Sequence, residues 1–357
     1  MKLKTVAWLG FLLASRIGAD TITIETLPSM HQAVSNNAVA SISSPEGIHL
    51  FSFLGLGEGR TWRDVSLRAT VLGAGEDSWQ LLKPVPGTEG RLAASAVTVG
   101  QAAWLFGGYT VAEDGSEKSI PDVYRLALGE SELRPVTRMP VPVEDAVMLV
   151  HRERFIYLVS GWHDLGNVNL VQVLDTTTLE WSQATPWPGA PVFGHAGGIS
   201  DGRMLICDGV RIQYPASGAA REFLPSDECW LGHIDEKNHR RIHWQPIPDH
   251  PGQSRYRMAS TGDEKDRIVF AGGSTNPYNF NGIGYNGVPA RPESSVFSYS
   301  LSTGAWQLHG DLPFGTMDHR GLPSLEGWFY VIGGMRDHQK VVPEVFRFRL
   351  DPPLTQQ

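Results

Sequence analysis

Arginine, histidine, carboxylate and aromatic side chains recur at two fixed points of a repeating sequence pattern. The first group precedes stretches of small and apolar residues: Arg91, Asp145, His195, Arg255, Tyr256, Asp318, His319 and Arg320. The second group follows glycines that end apolar runs: Tyr109, Trp162, Arg211, Asn276, Tyr278, Asn279, Tyr285 and Arg336. Arginine binds carboxylate or phosphate groups, and a histidine or carboxylate titrating near neutrality transfers protons. The two groups predict an anion site, with His195, Asp145 and His319 as candidate catalytic residues.

The repeat that carries these residues is a run of four or five apolar residues ending in one or two glycines. It occurs six times, at 50–55, 104–108, 156–161, 205–209, 268–273 and 330–334. A second short apolar strand follows most of these runs, and a third often opens with tryptophan, as at Trp181 and Trp306. A stretch of small residues precedes each glycine run. Segments this short and this regularly punctuated predict β-strands, four to each unit.

The double glycine, the spaced aromatic residue and the tryptophan resemble the kelch repeat over nearly the whole chain. The resemblance implies an all-β, six-bladed kelch-type β-propeller, in which each unit is one blade around a central channel. The sixth unit lacks a fourth strand, and residues 21–28 alternate like one. We therefore predict that this N-terminal strand closes the ring, which removes two open sheet edges.

Chain direction alternates from strand to strand, so two sets of loops must emerge on one face of such a ring. If the strands are named a to d from the channel outward, these are the loops between strands b and c and the turns from strand d to the next strand a. The two groups of polar residues stand at these places and are expected to converge. Taken singly, each arginine also fits an ion pair between blades, and each histidine fits a structural hydrogen bond.

The N-terminus and the composition bear on location and partners. Two lysines precede a short apolar run at 6–14, and a candidate cleavage site follows at Ala19, a pattern typical of a secretory signal peptide. We predict a signal peptide at 1–19, a propeller at 20–357 and a periplasmic or secreted protein. The chain has 30 basic and 38 acidic residues, which argues against nucleic-acid binding. No later segment is apolar enough to suggest a membrane span.

Cofactor motifs are not evident in the sequence. There is no glycine-rich phosphate loop before a helix, no nucleophile elbow and no HExxH motif, and the 12 histidines are scattered. We expect no cofactor and no metal site. The two cysteines, Cys207 and Cys229, fall near the end of one strand and the start of the next. They could form a disulfide or remain as two buried thiols.

Among exported kelch propellers, the chain resembles the N-acetylneuraminate epimerase (sialic acid mutarotase) group, through stretches such as 59–62, 122–124 and 270–273. The resemblance implies a small-molecule carbohydrate partner, an anionic sugar, whose anomers such an isomerase interconverts. That family has a glutamate after the blade-four glycine, whereas Val210 follows Gly209 here. The rival interpretation is a non-catalytic module that binds carbohydrate or protein. Substrate, acid–base roles and oligomeric state stay open at this stage.

Overall fold

The computed structural model describes residues 21–87, 89–216 and 220–351, so the predicted signal peptide lies outside the described residues. These residues form six four-stranded antiparallel sheets arranged as the blades of a β-propeller. The predicted fold is therefore confirmed. Strands of two to seven residues alternate with tight turns, and glycine and other left-handed residues stand at many of these turns.

The first three blades share the order a, b, c, d from the channel outward. Blade 1 consists of Ala38–Ser44, Gly47–Phe53, Ala69–Leu72 and Gln80–Leu81. Blade 2 consists of Ser95–Val99, Ala102–Phe106, Asp122–Ala127 and Arg134–Arg138. Blade 3 consists of Val147–His151, Phe155–Val159, Val171–Asp175 and Trp181–Gln183.

The last three blades repeat this order, with one exception at the end of the chain. Blade 4 consists of Ala196–Ser200, Arg203–Cys207, Cys229–Ile234 and Ile242–Ile247. Blade 5 consists of Ala259–Gly262, Arg267–Ala271, Ser295–Ser300 and Ala305–Asp311. Blade 6 consists of Ser324–Leu325, Trp328–Ile332, Val345–Asp351 and, as strand d, the N-terminal Thr21–Leu27.

The N-terminal strand closes the ring, as the sequence predicts. Thr21–Leu27 pairs antiparallel with Val345–Asp351 along its whole length, from Thr21 opposite Asp351 to Leu27 opposite Val345. The exposed ion pair between Glu25 and Arg347 spans the same two strands. Because the two ends of the chain share one sheet, the ring is joined by a full ladder of hydrogen bonds.

The core of the protein lies between neighbouring blades. Both faces of a blade are covered, so strand b is a largely continuous apolar run instead of an alternating one. In Ala102–Phe106, Ala103 and Leu105 pack toward blade 1, whereas Trp104 and Phe106 pack toward blade 3. Apolar clusters of this kind join each successive pair of blades, including blade 6 to blade 1. This packing explains the apolar runs that mark the repeat.

The loops between strands b and c carry additional small elements on one face of the ring. Four are two-stranded hairpins: Tyr109–Val111 with Glu117–Ser119, Trp162–His163 with Gly166–Asn167, Val210–Gln213 with Glu222–Pro225, and Met335–Arg336 with Lys340–Val341. Two are short 3-10 helices, Trp62–Asp64 and Asp337–Gln339. We call this side of the ring the loop face.

The two cysteines, which the sequence leaves either paired or free, form a disulfide. Cys207 ends strand b of blade 4 and lies directly opposite Cys229, the first residue of strand c. The bond therefore joins the two ends of the loop that contains the Val210–Pro225 hairpin. Within the described part of the chain, no helix is long and apolar enough to cross a membrane.

Candidate functional site

The turns from d to a meet the b–c loops on the loop face in all six blades. One backbone bridge per blade joins them: Ser35 to Leu56, Leu92 to Tyr109, Glu144 to Trp162, Phe193 to Val210, Tyr256 to Ser274 and Met317 to Met335. The two groups of residues picked out by the sequence therefore do lie on the same side of the ring. Each bridge fixes the first residue of a b–c loop beside the channel.

Residues with a left-handed backbone conformation recur around this face of the ring. Each d–a turn contributes one: Asn36, Ala93, Asp145, Gly194, Arg257 and Asp318. Backbone hydrogen bonds link neighbours around the ring, for example from Gly194 N to Asp145 O at 2.9 Å and from Arg257 N to Gly194 O at 2.8 Å. Gly194 is required at its place, since a Cβ there would lie 1.9 Å from the Tyr256 ring.

Four buried charged side chains on this ring form a cluster that we call the ionic plug. Its members are Asp145, Arg257, Asp318 and Arg320. Arg257 donates to Asp145 Oδ2 from Nη2 at 2.6 Å and to Asp318 Oδ1 from Nη1 at 3.1 Å. Arg320 Nε lies 3.0 Å from Asp145 Oδ1. Two carboxylates thus balance two guanidinium groups, as buried charges require.

Two cavities meet the ionic plug, and Asp145 lines both of them. The central channel has a volume of about 470 Å³ and is lined by Asp145, His195, His319, Arg320 and the innermost strands. The second cavity, which we call the loop-face pocket, has a volume of about 200 Å³. Its lining residues come from the d–a turns and the b–c loops: Tyr109, Glu117, Glu144, Asp145, Trp162, Phe193, Arg221, Phe223, Arg257, Asn279, Phe280 and Tyr285.

One side of the loop-face pocket is aromatic. Phe223 and Tyr285 stack with ring centroids 4.0 Å apart, and Phe193 meets both rings edge to face. The guanidinium of Arg221 lies 4.9 Å from the Trp162 ring centre and 5.3 Å from that of Phe223. Such contacts hold a cation by attraction to the ring faces. Arg221 is thus held in place on aromatic rings.

The other side of the pocket carries two neighbouring carboxyl groups with opposite pKa shifts. Burial raises the pKa of Glu144 well above its usual value, and the negative charges of Asp145 and Glu117 add to the rise. Burial also opposes ionisation of Asp145, but Arg257 and Arg320 outweigh it and lower the pKa of Asp145. When the pKa values of two neighbouring carboxyl groups diverge in this way, one group can stay protonated as an acid while the other is a charged carboxylate.

One carboxyl oxygen of Glu144 lacks a hydrogen-bond partner among the described residues. The residue is 5% exposed, and its Oε2 is buried without a hydrogen-bond partner among the described residues. An unsatisfied buried polar atom beside a cavity is suited to a ligand. Glu117 stands at the rim, where desolvation raises the pKa of its carboxyl, although Arg257 and Arg221 oppose the shift. The tyrosine hydroxyls stay protonated, since burial raises the pKa of Tyr285 to about 12.

The two histidines proposed for catalysis lie on the channel side of the plug. His195 Nε2 lies 2.9 Å from Val159 O, and His319 Nε2 lies 2.7 Å from Thr316 Oγ1. Burial lowers the pKa of His195 to about 4. Burial, together with Arg320 and Arg336, lowers the pKa of His319 to about 3. Both are therefore neutral at neutral pH and line the channel instead of the loop-face pocket.

The outer arginines from the d–a turns hold backbone carbonyls of their own blades. Arg91 donates to Gly107 O at 3.2 Å, and Arg255 donates to Gly272 O at 3.0 Å. Each carbonyl belongs to the first glycine of that blade's double glycine. Both arginines are buried and lie apart from the residues that line the pocket. Their repeated contact points to a role in fixing the turn.

Five of the residues that the sequence analysis selected line the loop-face pocket: Tyr109, Asp145, Trp162, Asn279 and Tyr285.

Two buried tyrosines support the plug from below: Tyr256 donates to Asp145 at 3.3 Å, and the Tyr278 ring lies under the Arg257 guanidinium. The other three predicted residues have local contacts. Arg211 pairs with Leu224 in its hairpin, Asn276 bonds to Asn286 within its loop, and Arg336 stacks on Phe314.

Several pocket residues were not singled out by the sequence. They are Glu117, Glu144, Phe193, Arg221, Phe223, Arg257 and Phe280. Hairpins inserted into the b–c loops contain or adjoin three of them: Glu117, Arg221 and Phe223. The repeated sequence pattern does not include these insertions. The alternation of apolar and polar residues in those insertions was the available signal. Glu144 immediately precedes Asp145, and its position in the d–a turn was the signal that it shares the site.

Within residues 21–87, 89–216 and 220–351, no group of three or more His, Cys, Asp or Glu side chains is arranged so that it could hold a metal ion. No protein-family model matches the chain.

Two curated proteins of Arabidopsis thaliana share part of the sequence. Acyl-CoA-binding domain-containing protein 5 is 31% identical over 126 residues, which are 34% of this chain and 19% of that protein. Acyl-CoA-binding domain-containing protein 4 is 29% identical over 138 residues, which are 37% of this chain and 20% of that protein. The matched segments thus span about a fifth of each relative.

The similarity to a solved structure extends over nearly the whole chain. The structure of YjhT superimposes with a TM-score of 0.70 at 15% sequence identity, covering 89% of this chain and 95% of that one. At this identity the likeness shows the fold. It supports the β-propeller fold that the glycine repeat predicts.

Proposed function

We propose that the protein binds an anionic monosaccharide in the loop-face pocket and interconverts its anomers. The observation that carries the proposal is the composition of one small pocket. It combines an arginine held on aromatic rings with a buried carboxyl oxygen that has no partner among the described residues. Its volume of about 200 Å³ lies below the ~300–1,000 Å³ of pockets for drug-sized ligands. This size favours a single sugar ring.

Two cations line the pocket, and only one suits a sugar carboxylate. Arg257 is already neutralised by Asp145 and Asp318 within the ionic plug. Arg221 has one hydrogen bond among the described residues, from Nη1 to Leu165 O at 3.4 Å. Its remaining N–H groups are available for a planar, two-point contact with a carboxylate. The rings of Phe223 and Tyr285 offer a face on which the apolar side of a sugar packs.

The chemistry is the opening and reclosure of the sugar ring. One group takes the proton of the anomeric hydroxyl, and another protonates the ring oxygen as the bond to the anomeric carbon breaks. The raised pKa of Glu144 suits it to give the second proton from Oε2. Glu117, which is also in the pocket, is placed to accept the first. Reclosure on the other face of the carbonyl returns both protons, so no cofactor is consumed.

A binding module without catalysis is the second candidate, and one observation favours it. The resemblance to the epimerase group implies a glutamate where Val210 stands. The valine side chain has no acidic or basic group, so Val210 cannot take the role of that glutamate. Val210 is completely buried and pairs with Phe193. Under this alternative the pocket and Arg221 keep their role and the proton transfer is lost. For either function, the signal-like sequence at 1–19 supports a periplasmic or secreted location.

Calorimetry with sialic acid and with a uronate tests the binding site. We expect wild-type protein to bind and Arg221→Ala to bind ~10–100-fold more weakly, since a hydrogen bond to a charged group contributes about 1.5–3 kcal/mol. Arg211→Ala is the matched control, because Arg211 lies in the same hairpin outside the pocket lining. Equal affinities for wild type and Arg221→Ala would remove Arg221 from the proposal.

A further inference from the structure

The b–c loop of blade 5 crosses the loop face from one side of the ring to the other. We call residues 276–290 of this loop the strap. Its Phe280 packs against a buried apolar cluster from the loops and turns of blades 1 and 2: Leu56, Leu92, Ala93, Tyr109 and Val111. Blades 2 and 5 stand opposite each other in a ring of six. The strap therefore reaches across the whole loop face.

Further contacts attach the strap to blades 6 and 1. Gly282 passes blade 6 so closely that a Cβ there would lie 2.5 Å from Gln339 Cγ. The Gln339 side chain donates from Nε2 to Ala290 O at 2.8 Å. From the blade-1 loop, Arg60 donates from Nη1 to Asn281 O at 2.8 Å. The strap is thus attached to three blades besides its own.

Hydrogen bonds within the strap keep it on this path. Asn276 Nδ2 donates to Val288 O at 3.0 Å, and Asn286 Nδ2 donates back to Asn276 Oδ1 at 3.0 Å. The backbone N–H of Asn279 donates to Ile283 O at 2.9 Å. A compact loop that is closed by its own bonds in this way presents its side chains in fixed positions. The strap is therefore suited to act as a wall.

The strap supplies part of the lining of the loop-face pocket. Its Asn279, Phe280 and Tyr285 line the pocket together with residues of other blades, among them Glu144 and Arg221. Phe280 both lines the pocket and packs against the apolar cluster of blades 1 and 2. Its ring thus fills the space between the strap and those blades. Removal of the ring would open the pocket on that side.

We propose that the strap sets the size limit of the loop-face pocket and that Phe280 is its specificity-determining residue. The pocket then takes one anionic sugar ring and excludes the same ring when it carries a second sugar toward blades 1 and 2. Specificity of this kind is steric, because the wrong ligand is rejected by a clash. This inference rests on the proposed function, and it adds the residue that rejects longer substrates.

Thiol labelling with reagents of two sizes tests this limit without any sugar. Both cysteines of the sequence are joined in the disulfide, so Glu144→Cys places a single free thiol at the pocket. Methyl methanethiosulfonate is the small reagent, and a fluorescein methanethiosulfonate is the large one. In this background we expect Phe280→Ala to raise the labelling rate of the large reagent roughly 10-fold and to leave the small reagent's rate unchanged.

Two other substitutions in and beside the strap sharpen the test. Val288→Ala is the matched control, since Val288 lies in the strap and is 56% exposed, and it should change neither labelling rate. Arg60→Met removes the hydrogen bond to Asn281, and we expect a smaller rise for the large reagent because the contacts with Gln339 remain. If Phe280→Ala does not fold, Phe280→Leu keeps an apolar contact and is expected to give a smaller rise of the same sign.

The size limit is overturned if Phe280→Ala leaves the rate of the large reagent unchanged, or if it raises both rates equally, as general loosening would. Calorimetry then separates this result from the proposed function. In Phe280→Ala, the affinity for digalacturonate relative to galacturonate should rise roughly 10-fold. The expected labelling without binding of any anionic sugar would remove the proposed substrate and leave the size limit standing. Sugar binding with unchanged labelling would remove the size limit alone.

Discussion

The loop-face pocket and the central channel bury ionisable groups on the two sides of one ionic plug, with opposite results. In the channel, burial lowers the pKa of both His195 and His319, and each is held by an uncharged oxygen. In the pocket, burial acts on Glu144 and Asp145 alike, but two arginines reach only Asp145. Burial alone favours the neutral form of an ionisable group. When one of two buried carboxyl groups also has arginine partners, that group is ionised while the other stays protonated as an acid.

Asp145 joins these two environments, because it belongs to the plug and lines both cavities. Its ionised state depends on Arg257 and Arg320, and its charge in turn raises the pKa of Glu144. The ionic plug is thus the source of the difference in pKa between Glu144 and Asp145. Its removal should abolish that difference.

The largest expected effect comes from removing a cation of the plug. Arg257→Met leaves the buried carboxylates of Asp145 and Asp318 with Arg320 as their remaining plug cation. We expect about 3–5 kcal/mol lower free energy of unfolding, measured by denaturant titration. Arg63→Met is the control, since the Arg63–Glu113 pair is exposed. The control should change stability by less than about 0.5 kcal/mol.

Equal free energies of unfolding for the Arg257 and Arg63 variants would show that the ionic plug does not stabilise the fold. They would also contradict the comparison of the two cavities, which assumes that the plug separates them.

A smaller effect concerns the pH dependence of stability. His195 and His319 have folded-state pKa values of about 4 and about 3, below the ~6.5 of the unfolded chain. Their contribution is lost as pH falls from about 6.5 toward 4, by up to about 1.4 kcal/mol per unit for each histidine. The raised pKa of Glu144 has the opposite sign, so its contribution is lost as pH rises above ~4.5.

Unfolding free energies measured from pH 4.5 to 8 separate these slopes. His195→Gln should flatten the acid limb, and Glu144→Gln should flatten the limb at higher pH. The slope of unfolding free energy against pH does not depend on the pH-independent loss of stability that each substitution causes. If both variants kept the slopes of wild type, the assignment of neutral histidines to the channel and of a protonated carboxyl to the pocket would be wrong.

The fold was largely predictable because it depends on a periodic signal. Glycine-ended apolar runs such as 104–108 must be buried on both faces, and six of them determine the number of blades. The closing strand at Thr21–Leu27 was also predictable from alternation and from the missing fourth strand of blade 6. The disulfide could not be decided, because the redox state of two adjacent-strand cysteines is not encoded in their spacing.

The site was predictable in position but only partly in its residues. Topology places Asp145 and Trp162 on the loop face, and the structure brings both to the pocket. The direction of a side chain is set by local bonds that no repeat reveals. Arg255 turns to a glycine carbonyl, whereas Arg257, two residues later, enters the plug. Arg221 and Phe223 were missed because their hairpin is inserted between two strands of the repeat, and the repeat does not define the length or sequence of such an insertion.

The measurement that tests the central claim most directly is proton NMR of freshly dissolved sialic acid as its anomers relax to equilibrium. The account predicts faster relaxation with wild-type protein and a loss of roughly 10²–10⁴-fold in that acceleration for Glu144→Gln. His319→Asn, on the channel side of the plug, should keep the acceleration. An unchanged relaxation rate with wild type, or a loss in His319→Asn with full activity in Glu144→Gln, would contradict the account.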